Sequence, residues 1–115
     1  MTNIIQSHWE HSPVICELNG YRWYLGPEAE GELTWEDAIE WCKSVGGELP
    51  PRDVLLQCYM NKSTRLLFKK VWYWASTDFI VNSAWIQGFT NGNQATNFKP
   101  YENYVRAVLA IKIGE

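Results

Sequence analysis

Short apolar and aromatic runs lie near the N-terminus, apolar residues alternate with polar ones in the final segment, and the middle of the chain has a helical period. Near the N-terminus, two apolar and aromatic runs, residues 14–18 and 21–25, are separated by Asn19-Gly20. Both turn residues tolerate a positive φ, so this pattern predicts a β-hairpin. Gly26-Pro27 is expected to end its second strand.

The last third of the chain has the pattern of short strands joined by turns. Asn91-Gly92 predicts a turn between a strand that contains Trp85 and a polar return that ends at Phe98. In the final segment every second residue is apolar, which predicts a strand with one buried face. The residues on that face are Val105, Ala107, Leu109, Ile111 and Ile113.

Two helices are predicted between these β regions. Thr34 is a suitable N-cap before an acidic first turn, and Gly46-Gly47 stops the first helix. Pro51 suits the first turn of the second helix, which should fray near Asn61. The inner faces are expected to be Trp35, Ala38, Ile39, Cys42 and Val45 in the first helix, and Val54, Leu55, Cys58 and Tyr59 in the second. Helices between hairpins predict an α+β fold.

Length and composition indicate one folded domain. At 115 residues, with 46% hydrophobic and 15% aromatic residues, the chain has enough apolar surface for a core, which excludes a disordered chain. We assign residues 13–115 to a single domain and residues 1–12 to a polar N-terminal arm. The arm has no signal-peptide pattern, and no apolar run is long enough to span a membrane, so we expect a cytoplasmic protein.

Charge is unevenly distributed along the chain. The net charge of -3 argues against a general affinity for nucleic acid or anionic membranes. Residues 28–40 carry six acids and no base, whereas residues 61–70 carry four bases and no acid. Either segment has two interpretations, a solvated face or a partner surface, and the solvated face is favoured.

The candidate chemistry predicts a non-enzyme without a metal or cofactor. His8 and His11, with Glu10, fall short of the four ligands of a structural zinc site. Three cysteines make a disulfide framework improbable, and Cys42 and Cys58 fall on inward helical faces, where thiols are inert. No nucleophile elbow is present.

Five short motifs follow one another along the chain. They are Leu49-Pro50, W-A-S-T at 74–77, Ala84-Trp85, F-T-N-G at 89–92 and Y-V-R-A-V at 104–108. In this order they resemble the Lcl C-terminal domain family of bacterial and phage proteins, a branch of the C-type lectin-like fold. The resemblance covers residues 21–113. It implies two helices packed on a mainly antiparallel, twisted β-sheet with an N-terminal hairpin.

The chain also departs from better-known members of that fold. It lacks the Glu-Pro-Asn, Gln-Pro-Asp and Trp-Asn-Asp triplets that supply oxygen ligands in calcium-dependent lectins. Extracellular members join the first helix to the last strand by a disulfide, whereas here Cys42 would face Val105 or Leu109. Formylglycine-generating enzymes need a late cysteine pair, and no cysteine follows Cys58.

Together these observations predict a non-enzymatic protein-binding module that docks through residues 78–83 and 91–101. Its more specific form is a phage-encoded inhibitor of a host defence protein, so the expected partner is host-encoded. The alternatives are a calcium-independent carbohydrate or receptor-binding module and a nucleic-acid mimic or binder. Trp74 and Trp85 are expected in the core, with Tyr73, Tyr101 and Tyr104 in an outer aromatic layer. The candidate partner-binding residues are Asp78, Asn82, Asn91, Asn93, Gln94, Asn97, Lys99, Tyr101 and Tyr73.

Overall fold

The strands form two separate antiparallel sheets in the computed structural model, which describes residues 11–114. The first sheet has the order β1-β2-β6, and the second has the order β3-β4-β5. The strands are β1 Val14–Leu18, β2 Tyr21–Glu28, β3 Trp72–Phe79, β4 Ser83–Gly88, β5 Gln94–Phe98 and β6 Arg106–Lys112. The α+β class is therefore confirmed, with two sheets where one was expected. Most of the predicted N-terminal arm, including His8, lies outside the described residues.

The predicted N-terminal hairpin is present, but its second strand is longer than expected. Asn19 and Gly20 have φ values of 57° and 83°, as the turn requires. Gly26-Pro27 does not end β2, which continues to Glu28 across a register shift between Leu25 and Glu28. Because an irregularity in the ladder tolerates a proline that has no N–H, the strand is bent there and not broken.

The last strand, β6, is buried on both faces, and the prediction of a single buried face is wrong. Val105 and Ala107 belong to one apolar cluster with Ala38, whereas Val108 belongs to another with Val54. The two clusters contact opposite faces of the strand. The alternation of apolar and polar residues therefore did not identify an exposed face here.

Three helices connect the sheets, α1 Trp35–Ser44, α2 Arg52–Met60 and α3 Lys62–Arg65. The hydroxyl of Thr34 accepts a hydrogen bond from the Asp37 N–H at 3.3 Å, and Gly46 has a φ of 83° after α1, as predicted. The short helix α3 was not predicted. It begins because the Asn61 side chain accepts from the Ser63 N–H at 3.1 Å. Part of the basic segment is therefore helical.

The cysteines lie where the sequence predicted. Cys42 and Cys58 are fully buried in the two clusters, and all three cysteines are free thiols. Burial raises the pKa of Cys42 and of Cys58 to about 12. Among residues 11–114, no helix has the length and apolar character needed to cross a membrane.

Candidate functional site

The predicted partner-binding residues fall at opposite ends of β4. Phe79 pairs with Ser83 at one end of the second sheet, and Trp72 pairs with Gly88 at the other. Between these ends β4 spans six residues, roughly 17 Å at the rise of an antiparallel strand. The loop at 80–82 and the turn at 89–93 therefore do not share one surface.

One end collects Asp78, Asn82, Asn97, Lys99 and Tyr101. The Asn82 carbonyl accepts from the Lys99 N–H at 2.9 Å, and Lys99 Nζ forms an ion pair with the Asp78 carboxylate. Lys99 Nζ also lies 4.1 Å from the centroid of the Trp35 ring, which is a cation–π contact. Asn82 has a φ of 69°, a left-handed conformation that asparagine tolerates in a turn. These polar residues hold the end of the hairpin in one conformation.

Large apolar side chains surround that polar frame and are exposed. Ser83 pairs with both Phe79 and Phe98, so the two phenylalanines project from the same face of the sheet on either side of it. Tyr101 packs edge to face against Phe98, with ring centroids 5.8 Å apart. The exposed fraction of these side chains ranges from 40% for Phe79 to 93% for Val81. The hairpin-tip surface consists of Phe79, Ile80, Val81, Phe98 and Tyr101.

The predicted docking segments, residues 78–83 and 91–101, contain all five residues. The side chains named as contacts within these segments were polar residues and Tyr101, and the other four apolar side chains were not named. A signal was present, because the apolar run Phe79-Ile80-Val81 continues directly into the turn at Asn82. Turns are usually polar, and a contiguous apolar patch on the surface marks an interaction site more often than not. Tyr101, which was selected, is exposed as predicted.

Asn91 and Asn93 lie in the turn at the other end of β4. The side-chain oxygen of Asn91 accepts from the Asn93 N–H at 3.3 Å, which is the geometry of an Asx turn. Gly92 between them has a φ of 84°, in agreement with the predicted turn. This geometry accounts for Asn91 as a turn-forming residue.

Gln94 is engaged inside the protein. Its side-chain oxygen accepts two hydrogen bonds from the Arg52 guanidinium, at 2.7 and 3.1 Å. Its amide nitrogen donates to the Arg52 carbonyl and to the Gln87 side chain, each at 2.9 Å. The same guanidinium lies 3.5 Å from the centroid of the Trp85 ring, which is half-buried. Gln94 thus links α2 to the second sheet.

Tyr73 is fully buried, and its prediction as part of an outer aromatic layer is wrong. Both faces of β3 are covered, because Tyr73 belongs to one apolar cluster and Trp74 to the other. The Tyr73 hydroxyl donates to the Glu28 carboxylate at 2.6 Å and accepts from the Lys69 N–H at 3.0 Å. Trp74 is in the core, as predicted.

Glu28 brings the acidic and basic segments of the chain into contact. Its carboxylate accepts from Lys69 Nζ at 2.7 Å and lies 3.4 Å from Arg106 Nη1. Burial opposes ionisation of Glu28, but the hydrogen bonds from Lys69 and Tyr73 and the charges of Lys69 and Arg106 outweigh it and lower the pKa. Glu28 therefore does not belong to the solvated face that the sequence favoured for residues 28–40, since its side chain is only 14% exposed.

Within residues 11–114, no three His, Cys, Asp or Glu side chains come close enough together to hold a metal ion. No protein-family model matches the chain, and no curated protein matches it.

Proposed function

We propose that this chain is a protein-binding module that docks through the hairpin-tip surface. The observation that supports this function is the grouping of five exposed, large apolar side chains from two segments at one end of the second sheet. Aromatic residues of this kind are enriched in protein interfaces, where they bury much area for little loss of side-chain entropy.

The polar frame beneath the surface supports the same function. Strand pairing fixes Phe79 and Phe98 beside Ser83, and Lys99 connects Asp78 to the Trp35 ring. A surface whose conformation is already fixed loses less entropy when a partner binds. The hairpin tip is thus suited to a partner with a complementary apolar groove.

The fold that we propose for this module is C-type lectin-like. The last strand, β6, pairs with β2 of the N-terminal hairpin. Cys42 of α1 lies in the same apolar cluster as Val105, where extracellular members of that fold have a disulfide. More specifically, we propose that the chain is a phage-encoded inhibitor of a host defence protein in the bacterial cytoplasm. This part of the proposal rests on the size and class of the domain alone. The proposal includes no catalytic activity.

The test is a pull-down from the bacterial host with the whole chain as bait, followed by co-elution of the purified partner. We expect Val81→Ser and Tyr101→Ala to weaken the complex about tenfold or more, because each removes an exposed apolar anchor. Leu66→Ser is the matched control, since Leu66 is also exposed but lies at the other end of the sheet. A partner that binds all three variants as it binds the original chain would exclude the hairpin tip as its site.

Calcium-independent carbohydrate binding is a second candidate function, supported by a depression of about 260 Å³ beside the same surface. The rings of Phe98 and Tyr101 adjoin the hydroxyl of Thr96 and the amide of Asn97, and pockets that combine apolar and polar groups suit small ligands. A glycan array probed in chelator tests it. A signal that Tyr101→Ala abolishes supports carbohydrate binding, and the absence of any signal excludes it.

A further inference from the structure

A cleft of about 340 Å³ lies at the end of the second sheet opposite the hairpin tip. It is bordered by α2, by the segment that follows α3 and by the residues that follow β4. The basic cleft is lined by Tyr59, Arg65, Leu66, Phe68, Lys70, Phe89 and Thr90. None of these residues belongs to the hairpin-tip surface.

Positive charge surrounds the basic cleft although the chain as a whole carries a net charge of -3. Glu28 neutralises part of this charge by pairing with Lys69 and Arg106. Lys62 and Lys70 are exposed, and neither forms an ion pair with any of residues 11–114. The guanidinium of Arg65 donates to the Tyr59 carbonyl, an uncharged acceptor, at 3.1 Å. The border of the cleft is therefore complementary to carboxylates.

The floor and the rim of the cleft favour an apolar side chain over a nucleic-acid base. Phe68 and Phe89 stack on each other with centroids 4.1 Å apart and are only 7% and 3% exposed, so they present no free ring face. Base stacking needs such a face. Tyr59, the third ring of the lining, is partly exposed, but the Arg65 guanidinium lies 5.2 Å from its centroid. The exposed apolar side chains of residues 60–67 are aliphatic, namely Met60, Leu66 and Leu67.

We propose that the basic cleft binds an acidic peptide segment through one apolar anchor residue. The anchor packs against Leu66 at the rim, while neighbouring carboxylates pair with Arg65 and Lys70. A peptide of this kind combines the two features on which groove recognition depends, an apolar anchor and charge complementarity. This site is separate from the hairpin tip, so its occupant does not compete with a partner bound there.

A displayed library of random peptides about 12 residues long, selected on the immobilised whole chain, provides the probe. We expect the bound peptides to be enriched in Asp and Glu next to Leu, Ile or Phe. The affinity of a fluorescein-labelled selected peptide should fall about tenfold with Leu66→Ser and with Lys70→Glu. It should stay within about twofold of the original value with Val81→Ser, the matched change at the hairpin tip, because these sites are independent.

Labelled oligothymidine of about the same length tests the competing occupant. We expect it to bind about tenfold more weakly than the selected peptide at the same salt concentration, because the two phenylalanine rings of the cleft are buried and the Arg65 guanidinium lies over the ring of Tyr59. Peptides without an acidic excess, peptides insensitive to Lys70→Glu, or oligothymidine that binds as tightly would each overturn the proposal. Leu66 and Lys70 are exposed, so neither variant should fail to fold.

Discussion

The two ends of the second sheet use aromatic and charged residues in opposite ways. At the hairpin tip, rings and aliphatic side chains are exposed, and the Lys99 charge is paired with Asp78. At the other end, the rings of Phe68 and Phe89 are buried, and the charges of Lys62 and Lys70 are exposed. One end therefore offers apolar area with its charge paired, whereas the other combines exposed aliphatic side chains with exposed positive charge.

The difference arises from what covers each end. The connection between β3 and β4 consists of three residues, 80–82, that project beyond the strands. Phe89, which follows β4, instead packs against Tyr59 of α2, Phe68 and Tyr73. The same kind of side chain is thus core at one end and surface at the other, because Tyr59 of α2 packs on Phe89 whereas residues 80–82 project beyond the strands.

The largest loss of stability should come from Glu28→Gln, which removes the carboxylate beneath the basic end of the second sheet. Glu28 is 14% exposed, and its loss leaves Arg106 without a partner carboxylate, so we expect a loss of about 3 kcal/mol in the free energy of unfolding. The matched change at the other end is Asp78→Asn, which breaks an ion pair whose carboxylate is 67% exposed and should cost about 1 kcal/mol or less. Urea unfolding of both variants measures the difference. Equal losses would contradict the distinction between a buried and an exposed ion pair.

Gly92→Ala should cost about 2 kcal/mol, because the added Cβ would lie 2.5 Å from Cε2 of the Tyr59 ring. Gly92 also has a φ of 84°, which an alanine adopts only with strain. Gly31→Ala is the control for strain alone, since Gly31 has a φ of 81° and no atom within 4 Å of the new Cβ. It should cost about 1 kcal/mol. If thermal unfolding shows the same loss of stability for both variants, the close approach of Tyr59 does not contribute to the destabilisation by Gly92→Ala.

Acid pH should remove the contribution of Glu28 to the free energy of unfolding. The pKa of Glu28 is lowered below its ordinary value of 4.5, so the folded state favours the ionised form. Its stabilisation is therefore present above pH 4.5 and is lost as the pH falls through the lowered pKa. Urea unfolding from pH 7 to pH 3 should show a constant gap between the original chain and Glu28→Gln down to about pH 5, and a narrowing gap below it. A gap that widens in acid would mean that the pKa of Glu28 is raised in the folded state and not lowered.

The smallest effects on stability should come from the exposed apolar residues at both ends. Val81→Ser and Leu66→Ser should each change the free energy of unfolding by less than about 0.5 kcal/mol, since neither side chain is in the core. Val54→Ser, at a fully buried position, should cost several times as much because it buries a hydroxyl and leaves a cavity. A large loss for Val81→Ser would mean that the hairpin tip supports the fold and is not a free surface.

The local elements could be predicted from short stretches of sequence. Asn19-Gly20 determined the first turn, Thr34 and Gly46 bounded α1, and Gly92 marked the turn before β5. Each of these signals acts through the conformation of its own backbone or through a hydrogen bond to a near neighbour. The α+β class followed from the order of these elements.

Burial of the central strands was decided by the tertiary structure. The sequence placed Tyr73 on the outside because a strand with one covered face was assumed, and it divided β6 into a buried and an exposed face for the same reason. Apolar clusters cover both faces of β3 and β6, so consecutive side chains that point to opposite faces are buried, as in Tyr73 and Trp74 of β3 and Ala107 and Val108 of β6. Alternation within a strand specifies only which residues share a face, and distant residues determine whether that face is covered.

In the candidate site, too, the sequence predicted some features and the tertiary structure decided the others. From the sequence alone, Asp78, Lys99 and Tyr101 were assigned to one docking region together with Asn91 and Asn93, although the length of β4 separates the two groups. The apolar residues Ile80 and Val81 lie in the predicted docking segment 78–83 but were not named as contacts, because the sequence does not show whether another element packs on an apolar run. Sequence determined the turns and helix ends, since these depend on neighbours along the chain. Only the tertiary structure decided which surfaces remain exposed, because exposure depends on every element that packs nearby.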